Sequence, residues 1–144
     1  MYFEDYEIGK TYSIQNVHID EEKLLSFAQE YDPLPVHLDE EYAQTTPFRG
    51  LIAPGVMSFM TFWRRFLDMN VLTEGLIAGK STKIEWLAPV YPGDVLSGEV
   101  RITNLTARNK YNGVVEVTVD VFNQKGVQVM RDVTEAVVKK RQTT

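Results

Sequence analysis

The feature that most constrains the fold is the apolar segment that follows Pro54-Gly55. Its apolar positions are Val56, Met57, Phe59, Met60, Phe62, Trp63, Phe66 and Leu67. These positions cover most of a helix circumference, and a helix of that kind is buried on more than one side. We therefore expect it to lie in the concave face of a sheet. The segment is too short for the ~20 residues that a bilayer-spanning helix needs.

Alternation of apolar and polar residues predicts the strands of that sheet. The predicted strands are Lys10–Ile19, Lys80–Leu87, Leu96–Leu105, Val115–Val121 and a last strand that ends near Val138. Asn112-Gly113 is a strong hairpin signal, and Lys125-Gly126 predicts the final turn. The sequence therefore predicts an α+β fold, in which an antiparallel sheet wraps around one long central helix. We expect a single domain over residues 1–144, a length that suffices for one core.

Composition excludes several classes of protein. The net charge of -5 does not favour nucleic-acid binding, which requires a basic surface. The chain has no cysteine, so it has no disulfide framework, thiol nucleophile or thiolate metal site. Its two histidines show no convergent ligand spacing, and no metal site is expected. The acidic N-terminus lacks the plan of a signal peptide, so we expect a soluble cytoplasmic protein that does not bind membranes.

An acid and an imidazole occur together ahead of the central helix. Leu24, Phe27, Ala28 and Tyr31 have the spacing of an amphipathic helix, which Asp20 is placed to cap. Pro33 disfavours helical geometry at the preceding residue, so this helix is expected to end at Asp32. Asp32 and His37 then share a loop that Pro33 and Pro35 stiffen. A second cap at Asp39 predicts a short helix over Glu40–Ala43.

Three motifs carry a family resemblance. They are D-P-L-P-V-H at 32–37, F-R-G-L-I-A-P-G at 48–55 and A-P-V-Y-P-G-D at 88–94. In this order they resemble the MaoC-like dehydratases, relatives of the (R)-specific enoyl-CoA hydratases with the hot-dog fold. The resemblance covers nearly the whole chain. It implies an acyl-CoA thioester substrate, with coenzyme A as part of the substrate and no separate cofactor, bound near the interface of a homodimer or a higher oligomer of dimers.

The resemblance assigns roles to individual positions. The family's acid corresponds to Asp32, its histidine to His37, and its backbone oxyanion donor to Gly55. Leu34, Pro54 and Trp63 stand where family members often have asparagine, histidine and serine, respectively. These three residues and Val56 are the substrate-binding positions that the resemblance implies. Trp63 indicates a narrower or differently shaped acyl pocket.

The predicted chemistry is the reversible addition of water to a 2-enoyl-CoA to give a 3-hydroxyacyl-CoA. Asp32 and His37 would hold the water and transfer protons, and the residues alone do not show which is the base. The Gly55 amide, at the positive end of the helix, would stabilise charge on the thioester oxygen. A hot-dog thioesterase is one alternative, for which the central helix offers only Asp68 as its acid. A non-catalytic acyl-CoA-binding subunit is the other.

Overall fold

The computed structural model describes residues 1–143 and contains an antiparallel sheet of five strands. The strands are β1 (Thr11–His18), β2 (Leu76–Trp86), β3 (Val95–Ala107), β4 (Asn112–Phe122) and β5 (Gln128–Lys139). Their order across the sheet is β1-β3-β4-β5-β2, and all neighbours are antiparallel. The first and second strands of the chain are therefore at opposite edges of the sheet, separated by the last three.

Four α-helices lie between β1 and β2, after a short 3-10 helix at Phe3–Asp5. They are α1 (Glu21–Tyr31), α2 (Pro35–Leu38), α3 (Glu40–Ala43) and α4 (Gly55–Leu67). The Asp20 carboxylate accepts a hydrogen bond from the Lys23 amide, and the Asp39 carboxylate accepts one from the Tyr42 amide. Both predicted N-caps are confirmed. None of the helices within residues 1–143 has the length and apolar character that crossing a bilayer requires.

The helix α4 packs its buried face into the core that the sheet forms. Phe62 and Phe66 are fully buried there, together with apolar residues of β1, β3, β4 and β5. The predicted α+β architecture is confirmed. In the single chain, however, Val56 and Met60 are each 49% exposed, so the expectation of burial around most of the helix is only partly met. This face of α4 is removed from water only if another molecule packs against it.

Two predicted boundaries are wrong. β2 begins at Leu76, four residues before the predicted Lys80, because pairing with β5 continues as far as Val138. Asn112-Gly113 belongs to β4, and the preceding turn occupies residues 108–111. In that turn the Asn109 side chain accepts hydrogen bonds from the amides of Tyr111 and Asn112. The side chain of Asn109 therefore stabilises this turn, and Asn112-Gly113 does not form it.

Candidate active site

His37 lies on a one-turn helix where the sequence predicted a loop. Pro35 occupies the first turn of α2, where its missing N–H costs no hydrogen bond. The Leu34 carbonyl accepts a hydrogen bond from the His37 amide at 2.9 Å, and the Leu34 amide donates to the Asp32 carbonyl at 2.7 Å. These bonds hold the backbone between the acid and the imidazole. The segment is therefore rigid, as expected, but it is helical.

The imidazole of His37 contacts both a backbone carbonyl and the carboxylate of Asp32. Its Nδ1 lies 2.6 Å from the Ile52 carbonyl oxygen, which can only accept, so Nδ1 carries a proton. Its Nε2 lies 3.2 Å from Asp32 Oδ2. An unprotonated Nε2 and a carboxylate oxygen are both acceptors, so a hydrogen bond between them requires a proton on one of the two atoms.

Exposure differs between the two members of the pair. The His37 side chain is 8% exposed and that of Asp32 is 38% exposed. One imidazole nitrogen faces the backbone and the other faces Asp32, whereas the Oδ1 of Asp32 has no partner among residues 1–143. A small polar molecule such as water can therefore reach the pair from the carboxylate side.

The segment before α4 is tied to both α2 and the loop after β2. The Ile52 amide donates to the Val36 carbonyl at 3.2 Å, and the Ala53 amide donates to the Val90 carbonyl at 2.7 Å. The Tyr91 hydroxyl donates to the Phe48 carbonyl at 2.8 Å. These contacts join the three motifs of the family resemblance, which are far apart in sequence. They fix the position of the His37 ring relative to the start of α4.

A cavity of about 330 Å³ links His37 to the N-terminus of α4. His37, Ile52, Gly55 and Ser58 line one side, and residues 86–90 line another. Asp32 borders a neighbouring cavity of about 530 Å³, together with Phe27, Tyr31 and Val56. The pair of Asp32 and His37 thus lies between two cavities that both reach the first turn of α4. The amides of that turn have no acceptor within the helix itself.

Gly55 is in contact with the indole of Trp86. A Cβ atom on residue 55 would overlap the Cε2 and Nε1 atoms of this ring. The glycine was expected to allow close approach of a thioester, but the observed neighbour at its Cα is Trp86 from the end of β2. The glycine is therefore needed for packing of the cavity wall, whatever the amide binds.

The structure brings together some of the predicted site residues and separates others. Asp32, His37, Gly55 and Val56 lie around the two cavities described above. Leu34 is exposed and Pro54 is buried at the N-cap of α4, and neither borders these two cavities. Trp63 borders a third cavity, about 430 Å³ in volume, farther along α4.

Several residues of the cavity wall are not among the predicted site residues. Phe48, Ser58 and Trp86 were not predicted to be at the site, although Phe48 begins one of the three motifs. Ser58 is buried inside the helix that the sequence marks as apolar, and its hydroxyl donates to the Gly55 carbonyl at 3.0 Å. A polar residue at a buried position of an apolar helix was the available signal.

An antiparallel sheet of five strands around one central helix is the hot-dog fold. The family model for the MaoC like domain matches residues 4–125 of this chain. The chain belongs to this family. The resemblance stated from the three motifs is thereby confirmed.

Two relatives and one solved structure illustrate the similarity. The uncharacterized protein YdeM of Bacillus subtilis is 26% identical over 141 residues, which cover 97% of this chain and 100% of the relative. The (R)-specific enoyl-CoA hydratase of Rhodospirillum rubrum is 31% identical over 110 residues, covering 76% of this chain and 75% of the relative. The crystal structure of the MaoC-like dehydratase from Rhodospirillum rubrum has a TM-score of 0.89 at 30% identity and covers 99% of both chains.

Proposed function

We propose that this protein is a cytoplasmic hydratase and dehydratase that acts on acyl-CoA thioesters. The proposed reaction adds water across the double bond of a 2-enoyl-CoA, or removes it from a 3-hydroxyacyl-CoA. The observation that carries the proposal is the contact of His37 Nε2 with Asp32 Oδ2 beside a cavity that reaches Gly55. The reaction requires no cofactor beyond the coenzyme A of the substrate.

The proposed mechanism has the pair hold one proton, which supplies the proton balance that hydration requires. One member takes a proton from the water as its oxygen bonds to the β-carbon, and the other gives a proton to the α-carbon. The pair then holds one proton again, so it is ready for the next cycle. Positioned proton transfer of this kind contributes roughly 10²–10⁴ in rate. Dehydration uses the same two groups with their roles exchanged.

The first turn of α4 is the proposed site of the thioester oxygen. An amide at a helix N-terminus points along the positive end of the helix dipole and can stabilise a developing enolate. We assign the oxyanion contact to the Gly55 amide, and we place the thioester in the cavity that Gly55 shares with His37. Val56 and Trp63 are proposed to contact the acyl group along the helix. Leu34 and Pro54, which border neither of these cavities, are proposed to support the residues that line the site.

A thioesterase is supported less well. Its water must attack the carbonyl carbon, and the acid that the central helix offers for this is Asp68. That residue follows α4 at the end away from Gly55, and its carboxylate pairs with Arg64 at 3.0 Å on the surface. A non-catalytic binding subunit is supported less well because the acid and the imidazole are both present and in contact.

Turnover of crotonyl-CoA tests the proposal directly. We expect the purified protein to consume crotonyl-CoA, or a branched or longer 2-enoyl-CoA, with loss of the enoyl-thioester absorbance. The 3-hydroxyacyl-CoA product is identified by mass spectrometry. Release of free thiol, followed with a thiol reagent in the same assay, would favour the thioesterase. Binding of acyl-CoA esters with no turnover of any substrate would favour the non-catalytic subunit.

We also propose that the protein is a homodimer joined through β2. This edge strand is exposed along almost its whole length and carries the apolar side chains Leu76, Ile77 and Trp86 on the surface. An exposed edge of this kind offers unpaired backbone groups to another strand. A two-fold pairing of β2 with its copy would satisfy those groups and continue the sheet.

Sedimentation equilibrium checks the dimer. The protein is expected to sediment with the mass of two chains of 16.5 kDa. Ile77→Lys places a charge on the proposed interface and should shift the equilibrium towards monomer at micromolar concentration. Tyr111→Lys is the matched control, since Tyr111 is equally exposed but lies in the turn before β4. A monomer at all concentrations, or the same shift for both variants, would contradict the proposed interface.

A further inference from the structure

A buried carboxyl group lies on the inner face of the sheet, away from the pair of Asp32 and His37. Asp132 of β5 is fully buried. Its Oδ1 lies 2.5 Å from the Thr82 hydroxyl, and its Oδ2 lies 2.6 Å from the Thr134 hydroxyl. Thr82 and Thr134 are directly opposite each other on β2 and β5, with their hydroxyl oxygens 2.6 Å apart. The three side chains form a closed ring of short oxygen–oxygen contacts.

The two threonine hydroxyls both donate to the carboxyl of Asp132, Thr82 to Oδ1 and Thr134 to Oδ2. Burial raises the pKa of this carboxyl and outweighs the two hydrogen bonds, which lower it. The described residues place no cation against this carboxyl.

Both threonine hydrogens are donated to Asp132, so the two threonine oxygens are left to act as acceptors. A hydroxyl oxygen has two lone pairs that can accept a hydrogen bond. Thr82 and Thr134 both line the cavity of about 430 Å³ beside α4. A polar group that enters this cavity therefore meets acceptors, and it must itself be a donor to form a hydrogen bond there.

The remaining walls of this cavity are mostly apolar. Its lining includes Phe59, Trp63, Leu67, Leu72, Leu76 and Ala136. Lys80 also borders it, but its ammonium group lies 3.5 Å from the carboxylate of Glu135, which the Ser81 hydroxyl contacts as well. Lys80, the cation that residues 1–143 place at the rim, is therefore already paired. A cavity with these walls accepts an alkyl chain and disfavours a terminal carboxylate.

The cavity lies along the helix that starts at the proposed thioester site. Both cavities are bounded by α4 on one side and by β2 on the other. At 1.5 Å per residue, Phe59 and Trp63 are about 6 and 12 Å along the helix from Gly55. An acyl group of medium length that extends from the Gly55 amide along α4 would place its far carbons beside Thr82 and Thr134.

We propose that this cavity selects acyl groups that carry a hydroxyl far from the thioester, which donates a hydrogen bond to Thr82 or Thr134. Asp132 is a positioning residue that holds the two threonine oxygens and consumes their hydrogens. The inference rests on the proposed function, because it requires a thioester held near Gly55. It names the substrate class of that same site, namely hydroxylated acyl chains in preference to plain or carboxylated chains.

Calorimetric titration with three saturated ligands tests this selectivity without any need for turnover. The ligands are octanoyl-CoA, ω-hydroxyoctanoyl-CoA and the CoA monoester of suberic acid, which ends in a carboxylate. The wild-type protein should bind the hydroxylated ester about three- to tenfold more tightly than octanoyl-CoA, the range that one neutral hydrogen bond contributes. The carboxylated ester should bind more weakly than both. Equal binding of the hydroxylated and plain esters would overturn the proposal.

Variants of the ring locate the effect. Thr82→Val and Thr134→Val each remove one acceptor with little change in shape, and at least one of them should bring the ratio of the two dissociation constants close to one, whereas serine at the same position should retain it. Asp132→Asn replaces one acceptor oxygen with an NH₂ group that only donates, which frees one threonine hydrogen. The ratio should therefore fall in this variant. An unchanged ratio in Thr134→Val and Thr82→Val alike would overturn the proposal.

The two proposals can fail separately. Turnover of 2-enoyl esters with no preference for a hydroxyl would overturn the selectivity and leave the hydratase intact. A hydroxyl preference in binding, with no turnover of any enoyl ester, would leave the selectivity intact and remove the hydratase.

Discussion

Asp32→Asn and His37→Gln should each lower the turnover of the best 2-enoyl-CoA substrate by about 10²–10⁴-fold, the contribution of positioned proton transfer. Asp32→Asn keeps the size of the side chain but replaces the carboxylate that contacts His37 Nε2. His37→Gln removes the imidazole that the Ile52 carbonyl orients. Because the proposed mechanism uses the two groups together as one unit, the double variant should be little worse than either single variant. Steady-state kinetics of the three proteins measure this non-additivity.

The chain offers a matched control for each change. Asp39→Asn makes the same substitution seven residues from Asp32, at an N-cap where asparagine is as effective as aspartate. His18→Gln makes the same change at the only other histidine, which is exposed on β1. Both controls should retain wild-type turnover. Full activity in Asp32→Asn, with circular dichroism unchanged, would rule out the proposed role of the pair.

Phe62→Ala should lower the free energy of unfolding by about 3–5 kcal/mol, the usual cost of emptying a buried aromatic position. Phe62 is fully buried between α4 and the sheet, in the same core as Phe66. The loss combines the apolar area returned to water with the cavity that remains. Urea denaturation followed by tryptophan fluorescence measures it.

Met60→Ala is the control for this change. Met60 lies on the same helix but is half exposed, so its removal leaves no enclosed cavity. We expect a loss of less than about 1 kcal/mol, in the range of surface substitutions. Both variants are compared at one protein concentration, because the stability of a dimer depends on it. Equal destabilisation by the two changes would contradict the packing of α4 described above.

Local chemistry predicted the parts of this fold that depend on neighbouring residues. Asp20 and Asp39 were predicted as N-caps because a short acid before a helix binds amides three residues ahead. The central helix was predicted from its apolar positions alone. The one-turn helix at α2 was missed because four residues are too few to show a helical period, although Pro35 at its first position is a known helix signal.

Contacts between distant strands were beyond what the sequence shows. The ring of Asp132, Thr82 and Thr134 depends on the register of β2 with β5, across about 50 residues. Alternation marks which residues share a face, but it does not say which residue of one strand faces which residue of the other. The contact of Trp86 with Gly55 was missed because it joins the end of a strand to the start of a helix far from it in the sequence.

The main chain and the side chain of Ile52 contribute to two different properties of the cavity, the orientation of the imidazole and the shape of the wall. The two properties can therefore change independently in evolution. Its amide and carbonyl bind Val36 and His37, whereas its side chain forms part of the wall. Replacing isoleucine with another residue therefore alters the contour available to ligands while the imidazole tautomer stays the same. A lineage of such proteins can change which molecules it admits at this position without rebuilding its proton chemistry.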